Sequence, residues 1–168
     1  LEFRRVLFRS DTCVCMGSSI GIGLGLRHAL PDDEARRVVS VIGDSTFMHS
    51  GLTGMAEMVY NPPKTGHVLI VLDNGTTAMT GMQEHPGTGR TLDHEPTNKI
   101  AIEDVARSMG IKNIHVIDPR EDRDDFRELV ETALASGNLE LIMARRLCAL
   151  AAKKIEAYEA AAAAKREV

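Results

Sequence analysis

Two short segments hold the residue types best suited to metal-assisted chemistry. Val41-Ile42-Gly43-Asp44-Ser45 and Val71-Leu72-Asp73-Asn74-Gly75-Thr76 each begin as an apolar β-type run and end in a hard oxygen ligand. Asp44 and Asn74 stand thirty positions apart. One helical crossover fits that gap, so both can reach the same edge of a parallel sheet, where open α/β folds bind their ligands. Carboxylate, amide and main-chain oxygens at such an edge suit a magnesium ion holding a diphosphate. Asn74-Gly75-Thr76 places the amide oxygen and a nearby carbonyl on one concave face, while Ser45 and Thr46 offer hydroxyls and turn N–H groups to an anion. Plainer readings stand beside these. Asp44 could cap a helix N-terminus, and Asn74 could cap the turn after its strand.

The elements that must position these residues alternate between strand and helix. Apolar runs at Val38–Gly43 and His67–Leu72 read as strands buried on both faces. Asn113–Ile117 and Leu139–Ala144 are two further strands. Helices are expected over Ser18–Leu30, Leu52–Tyr60, Ile102–Met109 (with Gly110 as its C-cap) and Asp122–Ser136. Alternation of this kind predicts an α/β domain, a parallel sheet with helices on both faces. Gly75 to Asn98 is polar and aperiodic, the pattern of a long loop that is functional or disordered. From Ala149 a helix becomes Ala-rich and charged, and it has little to bury after Tyr158.

Composition narrows the function. The chain has 168 residues, enough for one domain with a real core, and its 43% apolar and 26% charged residues suit a globular protein. A net charge of −4 gives nucleic-acid binding no electrostatic support. No apolar run approaches the roughly 18 residues that span a bilayer and there is no secretory signal, so a cytoplasmic protein without a membrane anchor is expected. Leu1–Ser10 reads as foreign or mistranslated sequence, with an ordinary amphipathic arm as the alternative. The patterned domain then spans 11–150, and 151–168 forms a protruding, truncated helix. With no starting methionine, the chain is expected to be a fragment.

GDST followed by DNGTT resembles the thiamine-diphosphate signature, a Gly-Asp followed about thirty residues later by Asn. Ser45 stands where many members have a second glycine. GDSTFMHSG, LDNGTTAMTG and CMGSSIG resemble the 2-oxoacid:ferredoxin oxidoreductases, in particular the large subunit of the indolepyruvate enzymes, over about Asp11 to Leu150. The resemblance implies that Asp44, Asn74 and the Thr76 carbonyl hold Mg2+. It implies a cofactor-binding set of Cys15, Met16, Gly17, Ser18, Gly43, Asp44, Ser45, Thr46, His49, Asn74, Thr76, Thr77, Ala78 and Met79. Met16 would prop thiamine diphosphate into its bent shape, as a flexible thioether can; otherwise it is core. The implied reaction is oxidative decarboxylation of an aryl 2-oxoacid, indolepyruvate, to its acyl-CoA. The partners implied are a pyrimidine-binding domain, a small subunit, coenzyme A and ferredoxin. A pyruvate or branched-chain 2-oxoacid relative is the runner-up. No catalytic residue is expected within this chain, because the activating glutamate belongs to the pyrimidine-binding domain and neither Glu57 nor Glu84 matches it.

Other residues admit two readings. Gly17 and Ser18 open a helix whose N–H groups can bind phosphate whatever the family. His49 could donate to the diphosphate or cap a helix. His85 could face a substrate or lie solvated in the long loop, which also holds His94. Cys13 and Cys15 invite an iron–sulfur reading, but only Cys148 remains elsewhere and a cluster needs four thiolates, so buried free cysteines are expected. The 4Fe-4S clusters of the full enzyme would lie outside the chain. Gly21-x-Gly23-x-Gly25 before Asp44 mimics a dinucleotide-binding unit, but its spacing is not G-x-G-x-x-G and the glycines fall inside the helix. A cofactor-free interaction domain is the third class.

Overall fold

The computed structural model describes residues 14–166. The expected foreign segment at 1–10 and Cys13 lie outside the described residues. In chain order the elements are α1 (Ser19–Ala29), α2 (Asp32–Ala35), β1 (Val39–Gly43), α3 (Asp44–Thr46), a π-helical segment (Phe47–Gly51) and α4 (Leu52–Tyr60). Then come β2 (His67–Asp73), α5 (Ile102–Met109), β3 (Asn113–Ile117), α6 (Arg123–Ser136), β4 (Leu139–Arg145) and α7 (Ala152–Arg166). The four described strands form one parallel sheet in the order β1-β2-β4-β3. Asp44 follows β1 directly, and Asn74 follows β2, its hydrogen-bonded neighbour. The paired register sets Gly43 opposite Leu72, so both segments end at the same sheet edge.

Both faces of the sheet carry helices. On one, Ile42, Leu69, Val71, Leu141 and Met143 pack with Ile20 and Leu24 of α1, Met55 and Met58 of α4, and Ala106 of α5. On the other, Val68, Ile70, Ile142 and Ala144 meet Phe126, Leu129, Val130 and Ala133 of α6. β1 is an outer strand, however, and Val41 is 46% exposed, so it is not buried on both faces as its apolar run suggested. A strand's sequence records its hydrophobicity but not whether it lies at an edge.

Gly23 lets α1 approach the sheet. A Cβ there would collide with Ser40 Oγ and come within 2.9 Å of His67 Cε1, whereas Gly21 and Gly25 face open space. Beneath Gly23, the Ser40 hydroxyl donates to Ser19 O at 2.8 Å and lies 2.8 Å from His67 Nε2. Ser40 spends its proton on the carbonyl, so it accepts the Nε2–H of a neutral His67. Burial, and next the Arg27 guanidinium, push His67 down to about 3. Arg27 is itself buried, and it donates to the main-chain carbonyls of Val38, Thr65 and Gly66 at the opposite end of the sheet from Asp44.

Two expectations about segments are corrected. The helix predicted from Leu52 begins at Asp44, since α3, the π-helical segment and α4 run on without a break. The 75–98 segment is not structureless. Its bridges Thr77–Gln83 and Arg90–Pro96 fold it on itself, and Glu84 is buried against Arg90 Nε and His94 Nδ1, each at 2.9 Å. Burial raises the Glu84 carboxyl, but Arg90, Thr88 and His94 outweigh it and hold it below the usual carboxylate range. α7 docks here too. The Tyr158 ring stacks on His94 at 4.0 Å between centroids, and Glu159 lies 3.6 Å from Arg90.

Candidate cofactor and metal site

The site begins where β1 stops. Gly43 is still extended, and Asp44 turns at once into helix, which leaves the carboxylate at the sheet edge with only 2% of the residue exposed. Its Oδ1 accepts the Ser45 N–H at 2.8 Å. Its Oδ2 accepts the N–H groups of Asn74 at 3.1 Å and Gly75 at 2.9 Å. Asp44 is therefore bonded across the sheet edge to the turn after β2, beyond the helix-capping reading that its position alone allows. Burial would raise the Asp44 carboxyl, but His85 and the Ser45 and Gly75 N–H groups more than offset it, and the group stays ionised below the usual carboxylate range.

The turn after β2 is shaped by Gly75, whose φ of 73° lies in the left-handed region and whose missing side chain leaves room for Leu147. Asn74 Oδ1 accepts the Thr76 N–H at 3.1 Å, closing the Asx-type turn that its sequence position suggested. The Thr77 hydroxyl then meets Ser45 Oγ at 2.7 Å, so three hydrogen bonds join the residues after β1 to the turn after β2.

A third strand of chain completes the site. The loop before α1 turns at Gly17, with φ 90°, and passes so close to Ser50 that any Cβ at Gly17 would overlap its hydroxyl. This brings Met16 Sδ to 3.9 Å from Thr46 Oγ1. The three segments enclose a cavity of about 660 Å³, within the usual range for a small-molecule site. The first loop contributes Cys15, Met16, Gly17 and Ser18. Gly43, Asp44, Ser45 and Thr46 line it from the end of β1. After β2 come Asn74, Thr76, Thr77, Ala78 and Met79. His49 is not among the lining residues; it is exposed in the π-helical segment.

Other residues stand differently from their simplest readings. Met16 is 65% exposed, so it is a rim residue and not core. Cys15 is exposed and Cys148 partly so, which corrects the expectation of buried thiols. Gly21 and Gly25 are exposed inside α1, not in a turn before it. His85 is not solvated. It is 5% exposed, and its Nε2 lies 3.3 Å from Asp44 Oδ2, an electrostatic contact without hydrogen-bond alignment. No local pattern marked it; the only signal was that His85-Pro86-Gly87 forces a turn.

The oxygens at this edge are of the kind that hard cations take. One buried carboxylate, one amide oxygen and a main-chain carbonyl are hard ligands, as Mg2+ prefers when it also binds phosphate. No group of three or more His, Cys, Asp or Glu residues able to hold a metal occurs among the described residues. No helix among the described residues is long and apolar enough to cross a membrane.

Residues 2–144 match the family described as thiamine pyrophosphate enzyme, C-terminal TPP binding domain. The chain is similar to proteins named indolepyruvate oxidoreductase subunit IorA. It is 40% identical to that of Pyrococcus horikoshii over 83% of the chain and 22% of the relative. For Thermococcus kodakarensis the figures are 41%, 83% and 23%, and for Archaeoglobus fulgidus 37%, 83% and 21%. The chain thus spans about a fifth of the length of these curated relatives. No solved structure matches it.

Proposed function

The chain belongs to the thiamine pyrophosphate enzymes as a C-terminal TPP-binding domain, and from that premise we propose that it is the diphosphate- and magnesium-binding domain of a 2-oxoacid:ferredoxin oxidoreductase. The substrate proposed is indolepyruvate or another aryl 2-oxoacid, on the strength of the relatives' name. The observation that carries the metal reading is the fastening of buried Asp44 to the Asn74-Gly75 turn at the wall of a ligand-sized cavity.

In this reading Asp44, the Asn74 side chain and the Thr76 carbonyl hold Mg2+. Ser45, Thr46 and the N–H groups at Gly17 and Ser18 bind the diphosphate, which a helix N-terminus such as that of α1 favours. Met16, on the exposed rim, would prop the cofactor, and Met79 would line its site. The bound cofactor supplies the chemistry that lets carbon dioxide leave a 2-oxoacid, while the protein supplies orientation and electrostatics. A pyrimidine-binding domain, a small subunit, 4Fe-4S clusters, ferredoxin and coenzyme A complete the proposed enzyme; none of these is assigned to residues here.

The test is thiamine diphosphate binding to the complete subunit, with and without Mg2+, in wild type and Asp44→Ala. Binding that needs Mg2+ and weakens at least about 100-fold in the variant is expected, as for loss of a charged metal ligand. Equal affinity in the two proteins would refute the assignment.

A further inference from the structure

His85, near the middle of the 75–98 segment, is held against Asp44 behind the cavity wall. Its Nδ1 accepts the Gly87 N–H at 3.2 Å. A neutral imidazole with Nδ1 as acceptor carries its proton on Nε2, and Nε2 is the atom 3.3 Å from Asp44 Oδ2. The segment that delivers His85 is tied to the same turn as Asp44. Thr76 Oγ1 and the Thr77 N–H both donate to Gln83 O, at 3.2 and 2.9 Å. Next to His85, buried Glu84 holds Arg90, whose Nη2 reaches Gly75 O at 3.4 Å.

The two oxygens of Asp44 are used unequally. Oδ2 faces the Asn74 and Gly75 N–H groups and His85, whereas Oδ1 accepts the Ser45 N–H. We propose that His85 is a positioning residue for the metal: packed against Oδ2 beside the two N–H donors, it stops the carboxylate from turning, and so leaves Oδ1 as the oxygen offered to the cation. Such outer partners orient a ligand and commonly change metal affinity about 10–100-fold when lost. The inference rests on the magnesium reading of Asp44 and adds a residue that touches neither the metal nor the cofactor.

Two variants separate positioning from simple filling. In His85→Asn the side chain keeps an acceptor near the place of Nδ1 but stops short of Asp44. In His85→Gln the amide N–H reaches about as far as Nε2. The measurements, made on the complete subunit, are the Mg2+ concentration that half-saturates thiamine diphosphate binding and the unfolding temperature without ligands. The expected result is a Mg2+ requirement raised about 10–100-fold in His85→Asn and largely restored in His85→Gln, at similar unfolding temperatures. An unchanged requirement in His85→Asn overturns the inference, as does an equal loss in both variants that follows their unfolding temperatures. Wild-type binding indifferent to Mg2+ removes the magnesium reading itself, and this inference with it.

Discussion

Asn74 holds Asp44 through its backbone: its N–H reaches Asp44 Oδ2 at 3.1 Å while its side chain turns to the Thr76 N–H. The strand-end link is therefore independent of the Asn74 side chain. Asn74→Ala should keep the Asp44 contact and lose one hydrogen bond, costing about 1 kcal/mol. Its Mg2+ requirement for thiamine diphosphate should nevertheless rise about tenfold or more, because a proposed ligand is gone. Calorimetric titration beside a melting curve separates the two effects, and a Mg2+ requirement equal to wild type would remove Asn74 from the ligand set.

Glycines on one helix should respond in opposite directions. At Gly23 a Cβ meets Ser40 and His67, so Gly23→Ala should destabilise by roughly 1–3 kcal/mol through overpacking. At Gly21 a Cβ meets nothing within 4 Å, so Gly21→Ala should stabilise by about 0.5–1 kcal/mol. Urea unfolding of both variants checks the contrast, and similar losses in the two would contradict the packing described.

His67 should make stability depend on pH well above the carboxylate range. Its pKa is held at about 3 in the folded protein against 6.5 for the ordinary group. The unfolded chain then binds the extra proton across that window. This contribution is fully present above about pH 6.5 and is lost progressively as pH falls toward 3, with a slope of up to about 1.4 kcal/mol per pH unit. Between pH 6.5 and 5 the paired carboxylates remain ionised, so the window reports on histidine. Melting temperatures should fall with pH there, and more steeply in wild type than in His67→Gln. Parallel slopes would mean that His67 is not the group responsible.

The Tyr158 ring should help to hold the 75–98 segment in place. Removing its stack on His94 in Tyr158→Ala is expected to cost about 1 kcal/mol. The backbone amides of residues 84–95 should then exchange with solvent faster than in wild type. Unchanged exchange would show that the Glu84–Arg90–His94 cluster suffices without α7.

Much of this was readable in the chain. Val39–Gly43 and His67–Asp73 are apolar runs of strand length, and the helical periods between strands leave few alternatives to a parallel sheet. The glycine spacing in α1 already argued against a dinucleotide turn. The cluster that Arg90 and His94 form around buried Glu84 was not readable, because a polar, aperiodic segment carries no burial signal until its partners are in place. The same holds for Cys15, whose exposure depends on a loop path, and for His49, which the unbroken helical run from Asp44 carries to the surface.

The sequence by itself determined that Asp44 and Asn74 each follow an apolar run of strand length, one crossover apart, because such runs and spacings are local properties of the chain; the pairing of the two strands belongs to the fold. Only the tertiary structure decided which oxygen of Asp44 is engaged by which donor. Only it decided that His85, forty-one residues away, lies against that carboxylate. Those contacts follow from the path of the 75–98 segment, which is set by hydrogen bonds and an ion pair between residues six to fifteen positions apart that no helix or strand period encodes.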